Sequence, residues 1–221
     1  MRIAKDCPVT LIGGGEVQPS DLALATDIAP TLIAADGGAD RALALGHAPE
    51  AVIGDFDSLT DKARSALPGA ALHYDPDQDS TDFDKALGAI SAPLVIGVGF
   101  LGARLDHQMA AMNTLVRLPE KRCILLGAHE VVFLCPPSFR LDMAEGAPVS
   151  LFPMGAVEGV SDGLKWQIGG LHFAPDGRIG TSNMATGPID ITVTSPKMLL
   201  MLPRDVFPAA VETMQNTSSH W

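Results

Sequence analysis

Between residue 8 and about residue 135, short apolar runs alternate with longer helical segments. This alternation is typical of parallel β-α-β units, because a parallel connection needs a long crossover that is usually a helix. The clearest helical segments are 84–90 and 104–118, the second with Leu and Met residues at helical spacing. The predicted strands are 9–12, 31–35, 51–53, 71–74, 94–97, 123–126 and 131–134.

After residue 137 the pattern changes to short alternating runs separated by Gly, Pro and Asp. This pattern is typical of a small β-sandwich or barrel. The predicted strands are 139–143, 148–152, 164–168, 171–173, 189–193 and 198–202, and the residues after Pro203 are expected to form a loose tail. We therefore expect an α/β parallel-sheet, Rossmann-like domain over 1–137 and an all-β sandwich domain over 138–221.

Acidic side chains are concentrated between residues 36 and 106, with eleven Asp and one Glu against three Arg and two Lys. They fall in four short motifs, 35–40, 54–58, 79–85 and 102–107, that follow predicted strands or open predicted helices. In an open parallel sheet, ligands bind at the carboxyl ends of the strands. Hard cations such as Mg²⁺ take carboxylate oxygens and bring substrate phosphates with them. The pattern predicts metal-assisted phosphoryl transfer, although any single Asp could equally be a solvated surface residue.

Asp55 and Asp57 lie two residues apart at a strand end, so both carboxylates leave the same face of the extended chain and can bind one ion. The predicted metal ligands are Asp55, Asp57 and Asp82, with Asp36 as a fourth ligand or as an anchor of the others.

Cationic and glycine-rich segments supply phosphate-binding groups. Gly13 to Gly15 follow the first predicted strand, where backbone N–H groups can approach a phosphate. Arg104 opens a helix and can bind phosphate oxygens bidentately, while Asp106 either holds Arg104 or orients an attacking hydroxyl. The predicted catalytic residues are Asp55, Asp57, Asp82, Arg104 and Asp106. The predicted nucleotide-binding residues are Gly13, Gly14, Asp36, Gly37, Gly38, Asp79, Thr81, Lys85, Arg104 and His107.

Two other segments match the spacing of known catalytic or cofactor-binding motifs, but the residues or elements around them do not fit those motifs. Residues 97–102 read G-x-G-x-x-G, yet the acid expected about 20 residues onward is Glu120, in a turn before the next strand. Residues 159–163 read G-x-S-x-G, but β pattern follows where a nucleophile elbow needs a helix. Neither a dinucleotide-binding enzyme nor a serine hydrolase is expected.

Charge and hydropathy exclude further classes. A net charge of −11 and a pI near 4.8 oppose nucleic-acid binding. No segment approaches the roughly 18 apolar residues of a membrane span, and no signal peptide is evident, so we expect a cytoplasmic protein without a membrane partner. Three Cys residues without C-x-x-C spacing indicate reduced thiols.

The chain resembles the thiamine pyrophosphokinase family. The resemblance rests on the acidic motifs 35–39, 54–58, 81–87 and 102–107, and on the later segments 163–166 and 180–183. It implies a diphosphoryl transfer from ATP, the co-substrate, to the hydroxyl of thiamine, with Mg²⁺ as cofactor. It also implies an ATP-binding α/β domain, a C-terminal β-sandwich, and a homodimer whose interface forms the thiamine site. One departure is Ala103, where the family usually has a second Gly.

The resemblance also implies that the second domain binds thiamine, through Trp166, Lys165, Ser182 and Asn183. Thiamine carries a cationic thiazolium ring, which suits an aromatic face in an acidic protein. We expect Trp166 to stack on thiamine, and Ser182 and Asn183 to hydrogen-bond the pyrimidine edge or a neighbouring loop. Without the resemblance, a core position for Trp166 and a turn at Ser182 would be the simpler interpretation.

Three alternatives stay open. A related pyrophosphokinase acting on another heterocyclic alcohol, such as a hydroxymethyl pterin, would share the α/β half. A Mg²⁺-dependent phosphohydrolase would use an Asp of 54–58 as nucleophile and transfer phosphate to water. A nucleotide sensor would bind ATP without turnover.

Overall fold

The computed structural model describes residues 2–102 and 104–221, so the departure at Ala103 lies outside the described residues. The chain divides into two compact units, one of residues 1–114 with 125–128 and the other of residues 115–124 with 129–221. Its helices are α1 (Pro19–Ile28), α2 (Gly38–Ala44), α3 (Asp61–Ala66), α4 (Asp82–Ala89), α5 (Leu105–Arg117) and α6 (Phe207–Asn216).

The strands in the first part of the chain are β1 (Ile3–Ala4), β2 (Val9–Ile12), β3 (Thr31–Ala35), β4 (Ala51–Gly54), β5 (Leu72–Tyr74), β6 (Ile90–Ser91), β7 (Val95–Val98) and β8 (Cys123–Leu126). Those that follow are β9 (Glu130–Leu134), β10 (Ser138–Leu141), β11 (Pro148–Pro153), β12 (Val157–Leu164), β13 (His172–Phe173), β14 (Gly180–Val193) and β15 (Met198–Pro203).

The first unit contains a parallel sheet in the order β7-β2-β3-β4-β5, and a separate parallel pair, β1 with β6. Every residue of β2, β4 and β7 is buried. Burial on both faces is expected of parallel strands, and it explains why these strands read as continuous apolar runs.

Helix α4 shows how local sequence sets an element beside this sheet. The Thr81 hydroxyl accepts a hydrogen bond from the Asp84 backbone N–H, and the Asp84 carboxylate accepts one from the Thr81 backbone, which forms a capping box. The helix packs against β3 and β4, and its buried residues include Phe83, Lys85 and Leu87. A lysine on the buried face of a helix requires a charged partner.

The second unit is an antiparallel sheet in the order β13-β12-β14-β11-β15-β9, with β10 also paired to β14. The prediction of a strand at 164–168 was wrong, because β12 ends at Leu164 after Gly163, which has a φ of 75°. The G-x-S-x-G segment 159–163 therefore lies within a strand. Strand β14 begins at Gly180, nine residues before its predicted start, because β11 pairs with its polar first half.

The segment after Pro203, predicted to be a loose tail, contains helix α6. This prediction missed an apolar face at helical spacing, formed by Phe207, Ala210, Val211 and Met214. Beyond the helix, the Trp221 indole N–H donates to the Cys135 carbonyl at 2.9 Å. Within the part of the chain that the structure describes, we find no helix long and apolar enough to cross a membrane.

Candidate active site

Asp36 lies immediately after β3 and is fully buried. Its backbone has a φ of 38°, and its N–H donates to the Ile53 carbonyl at 2.9 Å. The Oδ2 atom accepts a hydrogen bond from the Ser58 backbone N–H at 3.0 Å, whereas the buried Oδ1 atom has no hydrogen-bond partner among the residues that the structure describes. An unpaired oxygen on a buried carboxylate is costly unless a cation or a proton joins it.

Two glycines of the acidic motifs are required by the packing around Asp36. A Cβ atom at Gly54 would lie 2.8 Å from the Asp36 Cβ, and one at Gly38 would overlap the Ile12 carbonyl oxygen. These glycines let the ends of β2, β3 and β4 approach closely enough to place Asp36 beside the loop that follows β4.

That loop carries Asp55 and Asp57 on either side of Phe56, whose φ is 64°. The Asp57 N–H donates to Asp55 Oδ1 at 3.3 Å, and the Ser58 hydroxyl donates to Asp57 Oδ1 at 2.9 Å. The structure brings together one carboxylate oxygen each of Asp36, Asp55 and Asp57, within 4.8 Å of one another. We call these three residues the acidic cluster.

The donor set of the acidic cluster fits Mg²⁺. All its ligand atoms are carboxylate oxygens, which hard divalent cations prefer over nitrogen or sulfur. The unpartnered Asp36 Oδ1 is an independent sign of an expected ligand, because a bound cation would satisfy it.

Lys85 and Asp82, both on α4, lie beside Asp55. The Lys85 ammonium donates to Asp55 Oδ2 at 3.0 Å and lies 3.7 Å from Asp82 Oδ1, with its side chain only 2% exposed. The Gln78 side-chain amide also donates to Asp55 Oδ2, at 2.9 Å. The predicted ligand Asp82 is therefore paired with Lys85, and a metal-binding role for it stays a prediction.

The pKa values of these carboxyls differ according to their surroundings. Burial, with added repulsion from Asp82 and Asp57, raises the pKa of Asp36 to about 6, although the Ser58 N–H acts in the opposite direction. Burial likewise raises the pKa of Asp82. The hydrogen bond from Lys85 lowers the pKa of Asp55. A pair of carboxyls with pKa values moved apart is typical of functional sites.

The predicted phosphate loop, Gly13 to Gly15, packs against the segment after β7. A Cβ atom at Gly13 would lie 2.6 Å from the Phe100 ring, and one at Gly15 would lie 2.5 Å from the Gly99 carbonyl oxygen. This close approach gives the G-x-G-x-x-G segment a packing function. The Arg41 side chain, which the sequence analysis overlooked, donates to the Gly14 carbonyl at 3.4 Å. Arg41 lies five residues after Asp36, on α2. A cationic side chain so close to the acidic motif 35–40 is the sequence feature that could have indicated it.

Arg104 and Asp106 lie at the start of α5 and form a bidentate ion pair. The two hydrogen bonds are Nε to Oδ1 at 3.2 Å and Nη2 to Oδ2 at 2.6 Å, and both side chains are exposed. His107 is also exposed. Of the two roles considered for Asp106, the structure contains the contact that holds Arg104.

Asp79 and Thr81, predicted to bind nucleotide, are exposed. Thr81 caps α4, and the Asp79 N–H donates to Asp77 Oδ1 at 3.0 Å. These contacts order the segment that leads to Asp82, and a direct nucleotide contact stays a prediction.

In the second unit, Trp166 is 53% exposed and lines a groove of about 300 Å³. The groove is also lined by Phe173, Arg178, Ile179, Ser182 and Asn183. We call it the Trp166 groove. A core tryptophan would be buried, so the exposure of this indole favours a binding surface.

Asn183 is buried, and its side chain is hydrogen-bonded to the backbone of Trp166. Its Oδ1 accepts from the Trp166 N–H at 3.2 Å and from the Met184 N–H at 2.8 Å, and its Nδ2 donates to the Trp166 carbonyl at 2.7 Å. Of the two predicted partners for Asn183, the neighbouring loop is the one that the structure shows. Ser182 is exposed with a φ of 64°, and the Lys165 ammonium lies 4.8 Å from the Trp166 ring centroid.

Two family models match the chain. One is described as "Thiamin pyrophosphokinase, catalytic domain" and matches residues 22–126, and the other, "Thiamin pyrophosphokinase, vitamin B1 binding domain", matches residues 138–199. Together they span more than half of the chain. The acidic cluster falls within the first range, and the Trp166 groove falls within the second.

Individual proteins that are similar to this chain belong to the same family. Thiamine pyrophosphokinase 1 of Arabidopsis thaliana is 29% identical over 202 residues, which cover 76% of this chain and 75% of that protein. Thiamine pyrophosphokinase 2 of the same plant is 30% identical over 176 residues, covering 70% of this chain and 64% of that protein. The structure of thiamin pyrophosphokinase from Candida albicans superposes with a TM-score of 0.74 at 14% identity, covering 90% and 89% of the two chains, and thus shares the fold.

Asp36→Asn should stabilise the metal-free protein at pH 8. The raised pKa of Asp36 means that folding favours its neutral form, so its stabilising contribution is complete below pH 3.8 and is lost as the pH rises through about 6. The amide mimics the neutral form and can donate to Asp57. We expect a gain of about 1 to 2 kcal/mol, or about 2 to 8 °C in Tm, at pH 8 in EDTA, and little difference near pH 4.

Thermal unfolding at both pH values is the measurement, with Asp142→Asn as a control at an exposed carboxyl. A variant that is less stable than the wild-type protein at pH 8 would contradict the burial cost assigned to Asp36.

Proposed function

Because the chain belongs to the thiamin pyrophosphokinase family, we propose that its acidic cluster, its glycine loop and its Trp166 groove serve a single reaction. The enzyme transfers the diphosphoryl group of ATP to the hydroxyl of thiamine, which gives thiamine diphosphate and AMP. The unpartnered, buried Asp36 Oδ1 at the acidic cluster is the observation that carries the assignment of the reacting end.

We propose that Asp36, Asp55 and Asp57 bind Mg²⁺, with Asp82 as a further ligand. When bound, the ion would neutralise charge on the ATP phosphates and on the departing AMP. The protein contributes fixed ligands, because Ser58 holds both Asp36 and Asp57 through its N–H and its hydroxyl.

Phosphate binding is proposed for Gly13 and Gly14, with Arg41 beside them, and for Arg104 at the start of α5. Backbone N–H groups and a guanidinium are suitable donors for phosphate oxygens. The ion pair with Asp106 keeps the Arg104 guanidinium oriented before the nucleotide arrives. Gly37, Gly38, Asp79, Thr81, Lys85 and His107 complete the proposed nucleotide-binding set.

We propose that thiamine binds in the Trp166 groove. Its thiazolium ring would stack on the indole, and Ser182 and Lys165 would supply polar contacts. Asn183 acts by positioning, because its side chain is hydrogen-bonded to the backbone of Trp166. The thiamine hydroxyl oxygen then attacks the β-phosphorus, and the bond from this phosphorus to the oxygen that bridges it to the α-phosphorus breaks. AMP departs with the bridging oxygen, and the hydroxyl proton passes to solvent.

The wider organisation is also a proposal. We propose that residues 1–137 form a Rossmann-like catalytic domain, that residues 138–221 form a β-sandwich, and that the protein is a cytoplasmic homodimer. The exposure of Trp166 and Ile179 supports the dimer, because a second subunit covering the groove would bury both apolar side chains.

The direct test is product analysis after incubation with ATP, Mg²⁺ and thiamine. We expect AMP and thiamine diphosphate in equal amounts, and a loss of at least about 100-fold in rate for Asp57→Asn, since that variant loses a proposed ligand on an exposed loop. Asp61→Asn, on the exposed start of α3, is the matched control and should keep its activity.

Release of ADP and inorganic phosphate would instead indicate a phosphohydrolase, and ATP binding without products would indicate a sensor. Transfer to a hydroxymethyl pterin in preference to thiamine would identify a different acceptor. An Asp57→Asn variant with near wild-type rate would remove Asp57 from the site.

Trp166→Ala should raise the KM for thiamine about two- to thirty-fold, because stacking and cation–π contacts are worth roughly 0.5 to 2 kcal/mol. The KM for ATP should stay nearly constant, and the Tm should change little because the indole is half exposed. Trp221→Ala is a matched control in the same unit, expected to lower the Tm without a selective effect on thiamine. Equal losses for both substrates in Trp166→Ala would exclude Trp166 as a thiamine platform.

A further inference from the structure

We propose that Lys85 is a fixed internal cation that weakens the binding of a free divalent ion at the acidic cluster, so that the ion enters together with the nucleotide. This inference rests on the proposed function of the cluster as a metal site. Lys85 is a positioning residue, because its ammonium acts through the carboxylates that it contacts.

The first observation is the burial of the Lys85 side chain. It is 2% exposed, on a helix that packs against β3 and β4. An ammonium group in such a position is stable only if opposite charges surround it. The carboxylates of Asp55 and Asp82 supply these opposite charges.

The second observation is the identity of its partners. The ammonium donates to Asp55 Oδ2 at 3.0 Å and lies 3.7 Å from Asp82 Oδ1. Asp55 also belongs to the acidic cluster, so an ion bound there would share this carboxylate with Lys85.

Two consequences follow from a shared carboxylate. Without metal, Lys85 offsets the repulsion between Asp55 and Asp82, which allows several carboxylates to lie close together. With metal, the same fixed charge repels the ion, because like charges a few ångströms apart interact strongly in a partly buried site. The negative phosphates of ATP would compensate for this repulsion, so nucleotide and ion should bind cooperatively.

The test is a titration of the folded, nucleotide-free protein with Mn²⁺, in which free Mn²⁺ is followed by its electron paramagnetic resonance signal. Lys85→Gln should bind Mn²⁺ at least about tenfold more tightly than the wild-type protein. Lys85→Arg, which keeps the charge, should resemble the wild-type protein. Lys62→Gln, at an exposed lysine of α3, is the control for net charge.

A second pair of variants protects the test against misfolding of Lys85→Gln. Asp82→Asn and the double variant Asp82→Asn with Lys85→Gln differ only at Lys85, and the double variant leaves no unpaired charge at these two positions. We expect the double variant to bind Mn²⁺ more tightly than Asp82→Asn. A non-hydrolysable ATP analogue should strengthen Mn²⁺ binding more in the wild-type protein than in Lys85→Gln.

Equal Mn²⁺ affinity in the wild-type protein and Lys85→Gln would overturn the inference, and weaker binding in the variant would show that Lys85 only orders the carboxylates. In both cases the metal site itself would stand. A lack of Mn²⁺ binding in every variant, with or without the ATP analogue, would contradict both this inference and the proposed metal site.

Discussion

The burial of the Asp36 carboxylate is the constraint on which the rest of the site depends. Burying a carboxyl with one unpartnered oxygen lowers the free energy of unfolding, and several neighbouring residues accommodate the Asp36 side chain. Gly54 makes room for its Cβ, Gly38 lets α2 begin close to β2, and Ser58 satisfies its other oxygen. A cation bound to the Asp36 Oδ1 atom would offset this cost.

The residues in contact with this site also show a division between ligands and their supports. Asp55 and Asp57 hold their positions through hydrogen bonds within their own loop, and Lys85 fixes Asp55 from α4. In the second unit, Asn183 has a similar supporting function for Trp166. Such supports limit the motion of the groups that contact substrate, which is the usual requirement for positioning in catalysis.

Much of the first unit could be predicted from the sequence, because strands buried on both faces read as apolar runs and the acidic motifs follow them directly. The second unit was harder. Strand β14 contains Thr, Ser and Asn in its first half, and only its pairing with β11 and β12 explains its length. The contact between Lys85 and Asp55 joins residues 30 positions apart, and therefore no local pattern reveals it. Helix α6, by contrast, could have been predicted from the sequence, because its buried apolar residues recur at helical spacing.

We propose that the acidic cluster holds a divalent cation. The most direct measurement is anomalous diffraction from crystals grown with Mn²⁺ and a non-hydrolysable ATP analogue. We expect a peak about 2 to 2.4 Å from carboxylate oxygens that include Asp36 Oδ1. A well-ordered nucleotide whose Mn²⁺ peak contacts none of Asp36, Asp55 and Asp57 would contradict it.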